Sequence, residues 1–172
     1  CHDEKNITEE ILSHAMEEGR HALRLKKFAV KIGGNEFNKY SESTLLCQQA
    51  AQDYFQILDR FCEKSLQPHF SPEDTVHLNY LYVTWIVEIR ALSVYESYQA
   101  ALGDSHGVNL SGLLAEETKH LESVEKELRA QDPDFLTRRQ EFQAVEKQLY
   151  EEYISALSQA IGSWGSQNEI HA

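Results

Sequence analysis

The chain has little of what staples a small fold or carries it through a membrane. Only three cysteines occur in 172 residues: Cys1, Cys47 and Cys62. Cys47 and Cys62 fall on one predicted helix about four turns apart, too far to bridge without unfolding it. This spacing excludes a disulfide framework as the organising principle. The three prolines, Pro68, Pro72 and Pro133, sit at segment ends. No run approaches the roughly 18 apolar residues of a membrane span. The most apolar stretch, Leu78 to Val87, is interrupted by Asn79 and Thr84. Basic charge is also short. The net charge is −12, so no cationic surplus exists to neutralise phosphates, and nucleic acid is excluded as the main partner. Strand alternation, glycine-rich phosphate loops, paired-cysteine zinc spacing and the Gly-x-Ser-x-Gly turn are all missing.

What is present suits one compact domain with a real core, spanning 1–172 with flexible ends at 1–6 and 166–172. The chain starts without Met. An N-terminal cysteine followed by the polar run His2-Asp3-Glu4-Lys5-Asn6 is similar to a bacterial lipoprotein after signal-peptide removal. That likeness implies a lipid anchor at Cys1 and a place in the cell envelope or periplasm. An arbitrary chain boundary implies a cytoplasmic protein instead.

Helical periodicity dominates. The first predicted helix runs from about Ile7 to Ile32, with Asn6 and Glu9 as a capping box and Gly33-Gly34 as the stop. Its apolar arc holds Ile7, Ile11, Ala15, Ala22, Leu25, Ala29 and Ile32, with Glu18 inside it and His14 and His21 on its rim. The second runs from about Ser43 to Ser65, with Leu46, Ala50, Tyr54, Ile57, Leu58 and Phe61 inward. Ser71-Pro72-Glu73-Asp74 starts the third, which runs to about Leu102. It is apolar nearly all round, apart from a strip of Asn79, Arg90, Ser93 and Ser97, and belongs at the centre of a bundle. Glu88 points opposite that strip, beside Thr84, Ala91 and Tyr95. The fourth, Leu110 to Leu128, carries Leu110, Leu113, Leu114, Leu121, Val124 and Leu128 on one side. Glu117 interrupts that stripe and His120 lies on its edge. The fifth runs from about Pro133 to Ile161, with Glu146 inside its stripe. These elements predict an all-α antiparallel helical bundle.

Four glutamates thus interrupt apolar stripes on four different helices: Glu18, Glu88, Glu117 and Glu146. Two of them begin Glu-x-x-His pairs, Glu18 with His21 and Glu117 with His120. A buried carboxylate is costly unless something pairs with it. Glu and His three residues apart can reach one metal ion in a bundle interior. Oxygen and imidazole donors suit iron or manganese. The plainer reading pairs Glu18 and Glu146 with Arg or Lys of neighbouring helices, and leaves the histidines as hydrogen-bonded residues at the core edge.

The third and fourth helices, with Glu88, Tyr95, Glu116, Glu117 and His120, resemble the second hairpin of ferritin-like and rubrerythrin-like di-iron proteins. The resemblance implies a ferritin-like four-helix core plus a fifth helix, two iron ions, and redox, oxygen-activating or iron-handling chemistry. Glu88 matches the family's lone Glu; Glu117 and His120 match its Glu-x-x-His. In the first half Glu18 matches the lone Glu, but the second helix lacks a Glu-x-x-His, offering only Asp53 with Gln56 or Gln49 with Gln52. Either His21 substitutes, or Glu146 completes the set. The ligands expected are therefore Glu18, His21, Glu88, Glu117, His120 and Glu146, with two irons, a single metal ion or manganese as cofactor. The competing expectation is a metal-free interaction module, such as an envelope lipoprotein, that binds a protein partner or its own copy through its acidic surface.

Overall fold

The computed structural model describes residues 8–41 and 44–168. Cys1, the Asn6 cap, the start of the second helix at Ser43 and the last four residues lie outside them. The described residues form an all-helical bundle with no strand among them. The elements are α1 (Glu9–Gly33), a single 3-10 turn (Asn35–Asn38), α2 (Gln48–Leu66), α3 (Pro72–His106), α4 (Ser111–Gln131) and α5 (Phe135–Asn168).

α3 is the central element, packed against α2 on one side and α4 on the other, while α5 lies on α2. Its start follows from local chemistry. The Ser71 Oγ accepts from Asp74 N at 3.2 Å, Pro72 has no N–H to leave unpaired, and Glu73 and Asp74 sit at the positive end of the helix dipole. It runs through Gly103, beyond the expected end at Leu102, and stops at Gly107, where φ is 61° and only glycine escapes the Cβ penalty. Gln99 fastens the turn into α4. Its side chain donates to Val108 O at 3.0 Å and accepts from Leu110 N at 2.7 Å.

The expected polar strip of α3 does not face solvent along its length. Asn79 is buried and donates to Asp59, and Arg90 is bound to Glu146. α2 begins at Gln48 rather than Ser43, because Cys47 adopts a left-handed φ of 56° that breaks the helix. Cys47 therefore precedes the helix that holds Cys62, and both thiols are free. α5 starts at Phe135 and passes through Gly162 and Gly165 to Asn168, longer than its glycines implied.

The dry core lies where α2, α3, α4 and the first half of α5 meet. Leu58, Cys62, Leu66, Leu78, Tyr82, Trp85, Ile86, Leu128, Phe135 and Phe142 are buried there. The rings interlock edge to face: Tyr82 on Phe142 at 4.9 Å between centroids, Trp85 on Phe135 at 5.8 Å.

α1 behaves differently. Its nearest backbone neighbour is the short 3-10 turn after it, and it meets the other long helices through side chains. The expected inward arc holds only in part: Ile11 and Leu25 are half-buried, but Ala15, Ala22, Ala29 and Ile32 are exposed, as are Leu12, Met16 and Leu23, whereas His21 is buried. The face turned to the bundle carries His14, Glu18 and His21, spaced i, i+4, i+7 on one side of a helix.

Candidate metal centre

Three helices deliver the site. α1 supplies His14, Glu18 and His21, α3 supplies Glu88, and α4 supplies Glu117 and His120. Donor atoms of His14, Glu88 and His120 lie within 4.8 Å of one another, and so do those of Glu18, His21 and Glu117. In the first group His120 Nδ1 is 2.9 Å and His14 Nε2 3.5 Å from Glu88 Oε1. In the second His21 Nδ1 is 3.0 Å from Glu117 Oε1 and 3.4 Å from Glu18 Oε1. Glu18 joins the groups, since its Oε1 is also 3.6 Å from His14 Nε2. The rings of His14 and His120 meet edge to face at 4.2 Å.

Glu88 and Glu117 are 4% and 2% exposed, as their positions on the stripes of α3 and α4 implied. Glu18 is brought to the cluster from the rim: its side chain is 47% exposed and does not fill the core. Glu146 stays apart from the cluster. Its carboxylate receives both Arg90 Nε at 2.7 Å and Nη2 at 2.8 Å, plus the Tyr54 hydroxyl at 2.8 Å. A bidentate guanidinium and a phenol account for this buried acid without a metal. His14 was missed as a member of the set. The signal for it was its i, i+7 spacing to His21, which places both rings on one face.

Each α1 histidine is held by its outer nitrogen and presents the other inward. His14 Nδ1 is hydrogen-bonded to the Tyr80 hydroxyl at 2.7 Å, and His21 Nε2 to Glu116 Oε2 at 3.0 Å. Such outer partners fix ring orientation and tautomer at metal sites. The inward atoms find neighbours but no hydrogen bonds. His14 Nε2, His21 Nδ1, both Glu88 oxygens and Glu117 Oε2 are buried without a hydrogen-bond partner. Buried polar atoms without aligned hydrogen bonds are costly, and without a metal only the His–carboxylate ion pairs offset that cost. Ligands held at about 2.1 Å from one ion at right angles stand about 3 Å apart, close to the donor separations found here.

The electrostatics point the same way. The carboxylates of Glu18 and Glu88 facing His14 push its pKa up to about 11. Burial works against a charged His21, yet Glu116, Glu117 and Glu18 outweigh it and its pKa rises. Desolvation, reinforced by Glu18, lifts the Glu117 carboxyl to about 7. His14, His21 and Glu117 are all shifted toward their protonated forms by burial and the surrounding carboxylates, so the cluster favours added positive charge, a proton or a cation.

No known protein family matches the chain, and no curated protein or solved structure is similar enough to count as a match.

Proposed function

We propose that this protein binds metal in the His14, Glu18, His21, Glu88, Glu117, His120 cluster and uses it for redox, oxygen-activating or iron-handling chemistry. The observation that carries this reading is the set of inward-facing imidazole and carboxylate atoms that are buried, mutually close and not hydrogen-bonded. Two adjoining groups of three donors, with Glu18 also close to His14, would suit one or two ions, as in the ferritin-like di-iron proteins that α3 and α4 resemble. With nitrogen and oxygen donors and no thiolate, the set fits iron or manganese. Either would supply Lewis acidity and one-electron redox chemistry when bound.

The chain's own residues have definable tasks. Tyr80 and Glu116 orient His14 and His21. Glu88 and Glu117, buried under α1, form the inner wall of the cluster. Glu18, half exposed, leaves the outer side open for exchange with solvent. Glu117 can hold a proton near neutrality and release it when a cation arrives.

The competing reading is a metal-free binding module, favoured by the exposed apolar residues Leu12, Met16 and Leu23 of α1. Metal analysis of protein purified without chelator separates the two. We expect close to two iron or manganese ions per chain, abolished by Glu117→Ala and retained by Glu152→Ala, which removes the same chemistry from an exposed face of α5. Thermal melts should show Mn²⁺ at a hundredfold excess over its Kd stabilising the wild type by about 2.7 kcal/mol. Metal-free protein whose melting ignores added Fe²⁺ and Mn²⁺ would end the proposal.

A further inference from the structure

A cavity of about 490 Å³ opens from the cluster into the space between α2, α3 and α5. One end is walled by His14, Glu18, Glu88 and Glu117. The rest is lined by aliphatic and aromatic side chains, among them Val87, Ala91, Tyr95, Phe55 and Tyr153. This size lies in the range of small-molecule sites, and an apolar hollow with a few polar groups at one end is their usual form. An apolar cavity of about 150 Å³ takes benzene, so there is room here for roughly two or three rings or a medium-length hydrocarbon chain.

The walls also say which charge the occupant lacks. The cations at the cavity wall are Arg90 and protonated His14, and both are spent: Glu146 holds Arg90 through two hydrogen bonds, with its guanidinium over the Tyr150 ring at 3.9 Å, and His14 Nε2 faces Glu18 and Glu88. No free cation among the lining residues remains for a carboxylate or phosphate, and the inner end is acidic. An organic cation would find acids there, but metal ions and imidazolium protons compete for the same carboxylates.

We infer that this cavity binds an uncharged apolar molecule, an aromatic or aliphatic hydrocarbon unit, and lays it against the Glu88 and Glu117 side of the cluster. Its role as a substrate chamber rests on the metal reading; its affinity for such a molecule does not.

The test is a fluorescence titration of the full chain with N-phenyl-1-naphthylamine, an uncharged probe that brightens in apolar surroundings, run with and without chelator. Saturable one-to-one binding is expected in both conditions. Ala91 lies one turn from both Glu88 and Tyr95 on α3, so Ala91→Trp fills the cavity and should weaken the probe by at least about tenfold. Val87→Phe is the milder filling variant should Ala91→Trp not fold, and Ala115→Trp, on the exposed side of α4, should bind like the wild type. Displacement by 1-decanol should be at least about tenfold more effective than by decanoate, whose charge has no partner inside. Absence of saturation, equal binding by the filling variants, or preferential displacement by decanoate each overturns the inference. Metal content measured on the same samples reports separately on the metal reading. Probe binding without metal would leave the cavity standing and the metal centre fallen; metal without probe binding would do the reverse.

Discussion

Asp132, where α4 gives way to α5, is as deeply buried as Glu117 in the middle of α4, at 1% and 2% exposure. Their surroundings differ completely. Asp132 Oδ2 receives the Tyr82 hydroxyl at 2.6 Å and Arg138 Nε at 2.8 Å, and Oδ1 receives Asp134 N at 2.9 Å. Each oxygen has a donor from the chain, and the charge has a buried counter-charge. Glu117 faces another acid, Glu18, and a histidine that does not align a hydrogen bond with it. The contrast separates an acid that serves the fold from one that burdens it. Glu146, with Arg90 and Tyr54, belongs with Asp132; Glu88 belongs with Glu117.

Removing charge without changing shape tests this difference most strongly. Asp132→Asn leaves buried Arg138 with only the exposed Asp134 carboxylate, 3.7 Å away, to balance it, and should cost on the order of 3 kcal/mol in urea denaturation. Glu117→Gln, measured in chelator, should leave stability unchanged or raise it. Equal losses in both would make the cluster an ordinary polar core.

A smaller effect belongs to the residues that aim the histidines. Tyr80→Phe and Glu116→Ala remove the outer partners of His14 and His21 but none of the inward donors. Each should weaken metal binding about 10- to 100-fold with little change in metal-free stability. Competition titration against a metal indicator reads the affinity; unchanged affinity in both variants would make these contacts incidental.

The smallest expected effect is a pH slope. In the metal-free protein Glu117 titrates near 7 when folded but near its ordinary 4.5 when unfolded. The native state therefore holds the proton that the unfolded state has lost, and stability falls as pH rises across that window. His14, raised from 6.5 to about 11, has the same sign at higher pH: its contribution is present below 6.5 and disappears as pH climbs towards 11. Urea midpoints in chelator should drop from pH 5 to pH 8, and Glu117→Gln should flatten the lower part of that fall.

The helices of the bundle were legible because α3 and α4 bury apolar stripes, and the phase of a stripe places Glu88, Glu117 and the neighbouring His120. The same rule placed α1 only in part. Its inner face carries His14, Glu18 and His21 beside half-buried Ile11 and Leu25, while Leu12, Met16 and Leu23 face outward, so hydrophobicity does not mark one side. Glu146 was legible as buried, but what it buries against comes from α2 and α3. Only the tertiary fold chooses between Arg90 and the cluster. The Cys47 break in α2 is a backbone φ that no periodicity reports.

α1 also sets an order of events. The core around Trp85 and Phe142 can close with α2, α3, α4 and α5 alone. Among the described residues α1 is tied to the rest by the cluster, by half-buried Ile11, Leu25 and Phe28, and by Arg24 reaching Asn109 O at 2.7 Å and Lys31 reaching His106 O at 2.9 Å. A helix packed outside the main core is expected at the low end of local stability, opening before the bundle unfolds. Half of the donors leave with it. In the proposed metal-bound form, the helix and the ion would arrive together and depart together. Undocking of α1 would then be one route by which a bound ion leaves, beside the solvent-facing side at Glu18.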